Sequence, residues 1–279
     1  MIHSGSLMAR TRLWMLLAVV ALACNKSSGT QADAGAGACG LFGLPNASTG
    51  LDASMCTPSC ACGNDPWTAP TYTSQQIADL AKRQLLNPPQ LLADDPYTHP
   101  QDFPAHPDEV CAVLPDKTQP GAYSLQTYAS ESAAAKAGAT LTHYGACGLC
   151  SPLADLAVYM KNTDLTGPVR SCALQATPDA GSAKAMSCLM ALGFDQPCAQ
   201  IWYDNALNTR AHCLTPCLAD LSKPYQSPDG ALNDCLQCDE TQSGPVFKAV
   251  AGRTRRNSGL PSAICRPCDS VSHVVHDYP

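Results

Sequence analysis

Hydrophobic spacing changes period along this chain, and the changes mark its elements. Ile77, Leu80, Ala81 and Leu85 share one helical face. Thr73 and Gln76 fit a capping box and Asn87-Pro88-Pro89 stops the run, so the spacing predicts a helix over 74–86. From 87 to 120 prolines recur at 96, 100, 104, 107, 115 and 120, and a surface course without regular structure is expected there. Alternation returns at 122–128, an alanine-rich run at 130–137 reads as a short helix closed by Gly138, and 139–144 alternates again. This predicts a β–α–β unit with parallel strands, which delivers His143 and the following turn beyond a carboxyl strand end, where parallel sheets carry ligand-handling loops.

From 151 onward the pattern is helical. Ser151 and Pro152 suit the N-cap and first position of a helix to about 161. Further helices are expected over 167–176, 179–192, 198–211 and 229–237, and from about 243, the last turning Val246, Phe247 and Val250 inward. The expected fold class is α+β: a mainly helical, disulfide-stapled domain over 121–279 carrying a small β–α–β unit. A loop-rich, Cys- and Pro-rich segment over 39–120 precedes it.

The first apolar run, 13–23, follows Arg10 and Arg12. It has the ~7–15 residues of a signal-peptide core and not the ~20 of a membrane-spanning helix. Its end, Val20-Ala21-Leu22-Ala23-Cys24, resembles the lipobox of bacterial lipoproteins, with Ala21 where Leu is more usual. The resemblance is confined to residues 1–24. It implies cleavage before Cys24, a diacylglycerol on the Cys24 thiol with fatty acylation of the palmitate type, and the membrane as a partner. The other reading is an ordinary secretory signal with Cys24 as one more disulfide partner. Residues 24–38 are polar and Gly/Ala/Ser-rich and read as a flexible tether. Asn25 stands where an Asp would mark inner-membrane retention in some bacteria, so the expected location is the cell envelope, at the outer membrane or cell surface.

Removing residues 1–23, which hold two arginines and no acid, takes the net charge from −6 to −8 and leaves 256 residues. That charge disfavours nucleic acid as a partner. Of the 17 cysteines, Cys24 is assigned to lipid and sixteen remain: Cys39, Cys56, Cys60, Cys62 and Cys111 in the first part, eleven from Cys147 onward. Both subsets are odd, so full pairing in an oxidising compartment requires a bridge between the parts.

Three CxxC pairs occur, Cys147/Cys150, Cys235/Cys238 and Cys265/Cys268. The export signal turns them from metal ligands into disulfide partners, and no metal or cofactor is expected. Cys147/Cys150 is the candidate exception, because a helix N-terminus follows it and His143 precedes it. Thiolate stabilisation and a nearby base would suit thiol–disulfide exchange or a cysteine nucleophile. The second constellation is Arg253, Arg255 and Arg256, with Arg266 close behind: four of the seven arginines of the mature chain within fourteen residues. Guanidinium forks suit an anionic ligand, and equally the chain's own acids such as Asp239 and Glu240. His273 and His276 with Asp277 could join His143 in a metal or His–Asp site, or simply pack as a chain end. Two functional classes result. One is a lipid-anchored binding or structural module recognising an anion through Arg253, Arg255 and Arg256. The other is an extracytoplasmic thiol–disulfide oxidoreductase, or other Cys/His enzyme, centred on Cys147, Cys150 and His143.

Overall fold

A computed structural model describes residues 41–42, 59–62, 65–176, 181–227, 230–264, 266–267 and 270–279, with backbone alone up to 68 and at 267. The signal run, Cys24, the tether and most of the cysteine-rich stretch before 69 lie outside the described residues.

In chain order, β1 (Leu41–Phe42) is followed by an antiparallel hairpin of β2 (Ser59–Cys62) and β3 (Asp65–Thr68). Helix α1 (Ser74–Lys82) begins at the expected capping box: the Gln76 N–H donates to Thr73 Oγ1 (3.2 Å) and the Thr73 N–H to Gln76 Oε1 (2.9 Å). It stops before the expected position because Gln84 and Leu85 leave as β4 (Gln84–Leu85), a parallel edge strand. The proline-rich passage then makes two short 3-10 turns, and Tyr97 ties it down by donating to Asn205 Oδ1 (2.8 Å).

The expectation of an irregular course to 120 is corrected by β5 (Val110–Pro115), the central strand of the main sheet. Next come β6 (Ala122–Tyr128), α2 (Glu131–Lys136) and β7 (Thr140–Tyr144), in the expected places. The sheet order is β4-β6-β5-β7, with β5 antiparallel to both β6 and β7. Strands β6 and β7 are therefore parallel but not neighbours: β5 splits the expected unit. Burial explains why β5 does not alternate. Cys111 and Val113 enter the main core, Val110 and Ala112 pack toward α2, and a strand covered on both faces reads as a continuous apolar run.

The helical part comprises α3 (Leu153–Lys161), α4 (Thr166–Ala173), α5 (Ala183–Ala191), α6 (Gln196–Ala219), α7 (Asp234–Gln242) and α8 (Gly244–Ala251). A last strand, β8 (Arg266–Pro267), pairs antiparallel with β1. Helix α6 runs well past the expected end at 211, through Pro216. Its last turns are held by bridges from Cys213 to Cys238 and from Cys217 to Cys235, which staple it to α7 as an antiparallel hairpin. Cys172–Cys188 joins α4 to α5, Cys150–Cys198 joins the turn before α3 to α6, and Cys111–Cys147 joins that turn to β5. The last is the required bridge between the two cysteine subsets, and it leaves an even number on each side. With 16 to 48 residues between partners, each bridge removes roughly 3–4 kcal/mol of chain entropy from the unfolded state.

Besides the small cluster between β5 and α2, one large core joins the sheet to the helices. It begins on the sheet face at Val113 and Tyr123, passes through Leu153 and Leu156 of α3, and reaches Leu189 and Ile201 of α5 and α6. The protein is thus an α+β domain, mainly helical and stapled by disulfides, with a small mixed sheet. Among the described residues no helix is long and apolar enough to cross a membrane.

Candidate functional site

Two glycines set up the junction between sheet and helices. A Cβ on Gly148 would sit 2.3 Å from the Val250 carbonyl oxygen, and Gly252 has φ +72° with its own virtual Cβ 2.5 Å from the Gly148 nitrogen. Only unbranched backbone fits at this contact. The end of α8 therefore docks on the turn between β7 and α3: Leu149 and Cys150 donate their N–H groups to the carbonyls of Val250 and Ala251, both at 2.9 Å.

That docking swings Arg253 into the interior, where it has no solvent exposure. Its guanidinium has five N–H groups and each finds an oxygen: Nε donates to Cys150 O (3.1 Å), Nη1 to Thr142 O (3.1 Å) and Ser258 Oγ (3.3 Å), Nη2 to Thr142 Oγ1 (2.7 Å) and Ser151 O (2.8 Å). All five acceptors are neutral, and burial pushes the guanidinium's pKa down. The C-terminal residues close the other side. Thr142 Oγ1 bonds the Tyr278 hydroxyl (2.8 Å), which bonds His276 Nδ1 (2.7 Å), and His276 Nε2 donates to Ser258 O (2.8 Å). Burial, with Arg253 nearby, pushes the His276 pKa down to about 3, so this ring is neutral.

His143 is equally shut in. Its Nδ1 faces the Tyr144 carbonyl (3.0 Å) and must carry the proton, leaving Nε2 to accept from Ser151 Oγ (2.7 Å). Burial first, then Arg253, hold its pKa well below the usual value. A serine bonded to a histidine in a fixed tautomer is the geometry of a nucleophile and its base. Here both side chains are wholly buried, and Ser151 Oγ also accepts the Gly148 N–H (2.8 Å). The pair fastens the junction.

The expected redox pair is corrected. Cys147 and Cys150 are not bonded to each other: the turn aims Cys147 at Cys111 in the sheet and Cys150 at Cys198 on α6. Cys235 and Cys238, one helical turn apart, likewise both reach α6, while Cys265 and Cys268 lie outside the described residues. The arginine cluster is divided. Arg253 joins His143, Cys150 and His276 in the interior, so its expected role in docking a ligand is also corrected. Arg255 donates to the carbonyls of Tyr159 (2.8 Å), Pro261 (2.9 Å) and Asn162, and burial pushes it down to about 10. Arg256 lies 3.7 Å from Glu240, which also holds Arg266 (2.7 Å) and Lys248 (3.0 Å). Burial alone would raise the Glu240 carboxyl, but these three cations draw it down to about 2. Among the described residues no three His, Cys, Asp or Glu side chains converge on a metal-sized site.

Arg255 and Arg256 do face a cleft, of about 500 Å3, between α4, α6, α7, α8 and the segment after Arg253. Its walls are mainly apolar, and Leu207, Leu214 and Leu218 of α6 follow one helical face along it. The lip is bare: Leu174 is 70% exposed, Leu214 49%, Leu218 59% and Leu221 57%. The expected helix end at 211 hid this face, since the run Leu214, Leu218, Leu221 has meaning only once α6 is continued.

The fold and sites define a disulfide-braced α+β domain with a buried polar junction and an open apolar cleft. A model described as a family of unknown function, DUF8771, matches residues 182–274, about a third of the chain. That stretch holds α5 to α8, most of the cleft wall and Arg253. No curated protein and no solved structure matches the chain.

Proposed function

We propose that the protein is a binding module held at the cell envelope by a lipid on Cys24, with the cleft as its binding site. One observation carries the reading: an apolar cleft of about 500 Å3 with a bare leucine lip, in the ~300–1,000 Å3 range of ligand pockets. Bridges 213–238 and 217–235 tie α6 to α7, two of the helices that wall it, and 172–188 braces α4 against α5, so less ordering is left for a ligand to impose. Five bridges fit an oxidising compartment, and the lipobox resemblance supplies the anchor. Thiol–disulfide exchange has lost its support, since Cys147 and Cys150 have separate, buried partners.

Three measurements on the full chain test this. Radiolabelled palmitate labels the protein and Cys24→Ala abolishes both the label and membrane fractionation. Native protein without reductant gives no maleimide-reactive thiol, and mild reductant releases none. An environment-sensitive apolar dye binds once per chain and is lost in Leu214→Asp/Leu218→Asp. A labile thiol pair at Cys147/Cys150 would restore the enzyme reading, membrane association independent of Cys24 would remove the anchor, and dye binding indifferent to the leucines would remove the cleft.

A further inference from the structure

We infer that the cleft takes one particular class of ligand, a monomeric single-chain amphiphile with an anionic head, of which a long-chain carboxylate is the type. The inference rests on the cleft being the binding site, and it adds the ligand's chemistry and orientation.

Charge is the first observation. Six cationic side chains line the cleft (Arg170, Arg210, Lys248, Arg255, Arg256 and Arg266) against three acids (Asp164, Asp239 and Glu240), in a chain whose net charge is −6. The excess is local, and it stays positive although Glu240 is ionised and held by three of those cations. Low-dielectric walls strengthen its attraction for an anion.

An unused donor is the second. The Tyr159 hydroxyl borders the cleft, is itself shut off from solvent and has no acceptor among the described residues, while the Trp202 indole N–H is turned toward that hydroxyl. Tyr159 is 2% exposed, and burial raises its pKa, so its hydroxyl keeps its proton and remains a donor. Buried donors are rarely left unsatisfied, and a ligand oxygen at this end of the cleft would satisfy the Tyr159 hydroxyl.

Shape is the third. Trp202 and Leu218 are sixteen residues apart on the same helix, about 24 Å at 1.5 Å per residue. The Tyr159 hydroxyl, beside Trp202, stands at one end of this length. Antiparallel α7 places Glu240, with its cations, beside the middle of α6, where Asp239 bonds Thr209. The leucines of the lip occupy the far end. A compact polar ligand would leave those leucines in water, and an uncharged chain would leave the positive excess unanswered. A single chain with one anionic end meets both.

The test uses the full chain secreted with Cys24→Ala, which keeps it free of detergent, and follows Trp fluorescence during titration with dodecanoate, decanoate, dodecanol and dodecylamine below their micelle concentrations. Dodecanoate is expected to bind once per chain, at least tenfold tighter than dodecanol or dodecylamine. Shortening it to decanoate weakens binding by up to about fourfold per methylene removed. Tyr159→Phe, which removes only the unpartnered hydroxyl, weakens dodecanoate about fivefold without moving the unfolding midpoint, and Leu218→Asp weakens every probe. Equal affinity for dodecanol or dodecylamine, or no effect of Tyr159→Phe, overturns the anionic head while dye binding still upholds the cleft. Loss of the dye and all four probes together sinks both. Leucine-dependent binding to phosphatidylglycerol vesicles, with none to dodecanoate, overturns the inference in favour of a membrane face.

Discussion

Replacing Arg253 gives the sharpest test of the buried junction. The side chain supplies three main-chain carbonyls (Thr142, Cys150 and Ser151) and two hydroxyls (Thr142 and Ser258) with donors. In Arg253→Met the hydroxyls keep other partners, Tyr278 for Thr142 and Asn257 for Ser258, whereas the carbonyls lose theirs. Each unmet buried acceptor costs about 1–3 kcal/mol, so about 3–9 kcal/mol is at stake. Part is returned, because Met removes a cation that sits away from water with only neutral acceptors around it. A net loss of about 3–5 kcal/mol is expected, a large share of the ~5–15 kcal/mol of a typical domain. Arg253→Lys should do no better. It keeps the buried charge, offers three donors on a compact head in place of a five-donor fork, and cannot span Cys150, Thr142 and Ser151 together. The assay is denaturant unfolding of the oxidised protein, followed by Trp fluorescence with far-UV circular dichroism to verify the fold. A loss below about 1 kcal/mol for Arg253→Met, or full rescue by Arg253→Lys, would refute the reasoning, since the one shows the carbonyls are satisfied otherwise and the other that charge alone matters.

Three further outcomes are expected from the same geometry. Gly148→Ala forces a Cβ against the Val250 carbonyl and the Ala251 and Gly252 backbone and should cost about 2–4 kcal/mol in the same assay; an unchanged midpoint would mean that α8 does not press on the turn. Cys217→Ala with Cys235→Ala opens a link across 18 residues and should lose about 3 kcal/mol; peptide mapping should still find Cys213 joined to Cys238. Two sets of groups oppose each other in pH dependence. The imidazoles of His143 and His276 have pKa values depressed by folding, so their stabilisation is complete above pH ~6.5 and is lost as pH falls toward the folded value, about 3 for His276, with a slope of up to ~1.4 kcal/mol per unit each. The Asp204 carboxyl is raised by burial to about 7 and has an oxygen without a partner, so its stabilisation is present in acid and is lost as pH rises through 7. Asp204→Asn should therefore gain about 1–3 kcal/mol at pH 8 and nothing at pH 4; equal gains at both would exclude that carboxyl as the cause.

Legibility followed the range of the interactions. The α1 capping box, the short α2 and strands β6 and β7 are written in local spacing and could be read directly. Strand β5 could not, because its apolar run, Val110 to Leu114, takes its meaning from residues that cover both its faces and come mostly later in the chain. The length of α6 was hidden for a similar reason: Pro216 argues locally for an end, while bridges to Cys235 and Cys238 hold the helix beyond it. Cysteine parity did read through, since full pairing of two odd subsets requires a link between them and Cys111–Cys147 is one. The candidate residues divided along the same line. His143, Cys150 and Arg253 were each recognisable as unusual, but nothing local showed that they meet, because the meeting depends on Gly148 and Gly252 abutting about a hundred residues apart.

That meeting explains why the junction resembles a reactive centre. A nucleophile and base need a serine hydroxyl on a fixed imidazole, with donors and a cation close by. A solvent-free crossing of a strand end, a tight turn, a helix start and a chain terminus needs the same groups, because every unpaired carbonyl and amide there must be met. What separates the two uses is access. Ser151, His143 and Arg253 have none, with Cys147 and Cys150 bridged on either side and Val274, His276 and Tyr278 of the C-terminal segment also buried. The cleft has the reverse property: its leucines are exposed, and the Tyr159 hydroxyl at its wall has no acceptor among the described residues. Side chains whose polar groups are all satisfied have nothing left to offer a ligand. A binding site is therefore better sought where a donor remains open beside exposed apolar surface, and on this protein the proposed cleft along α6 offers that, away from the cysteine pair that first draws the eye.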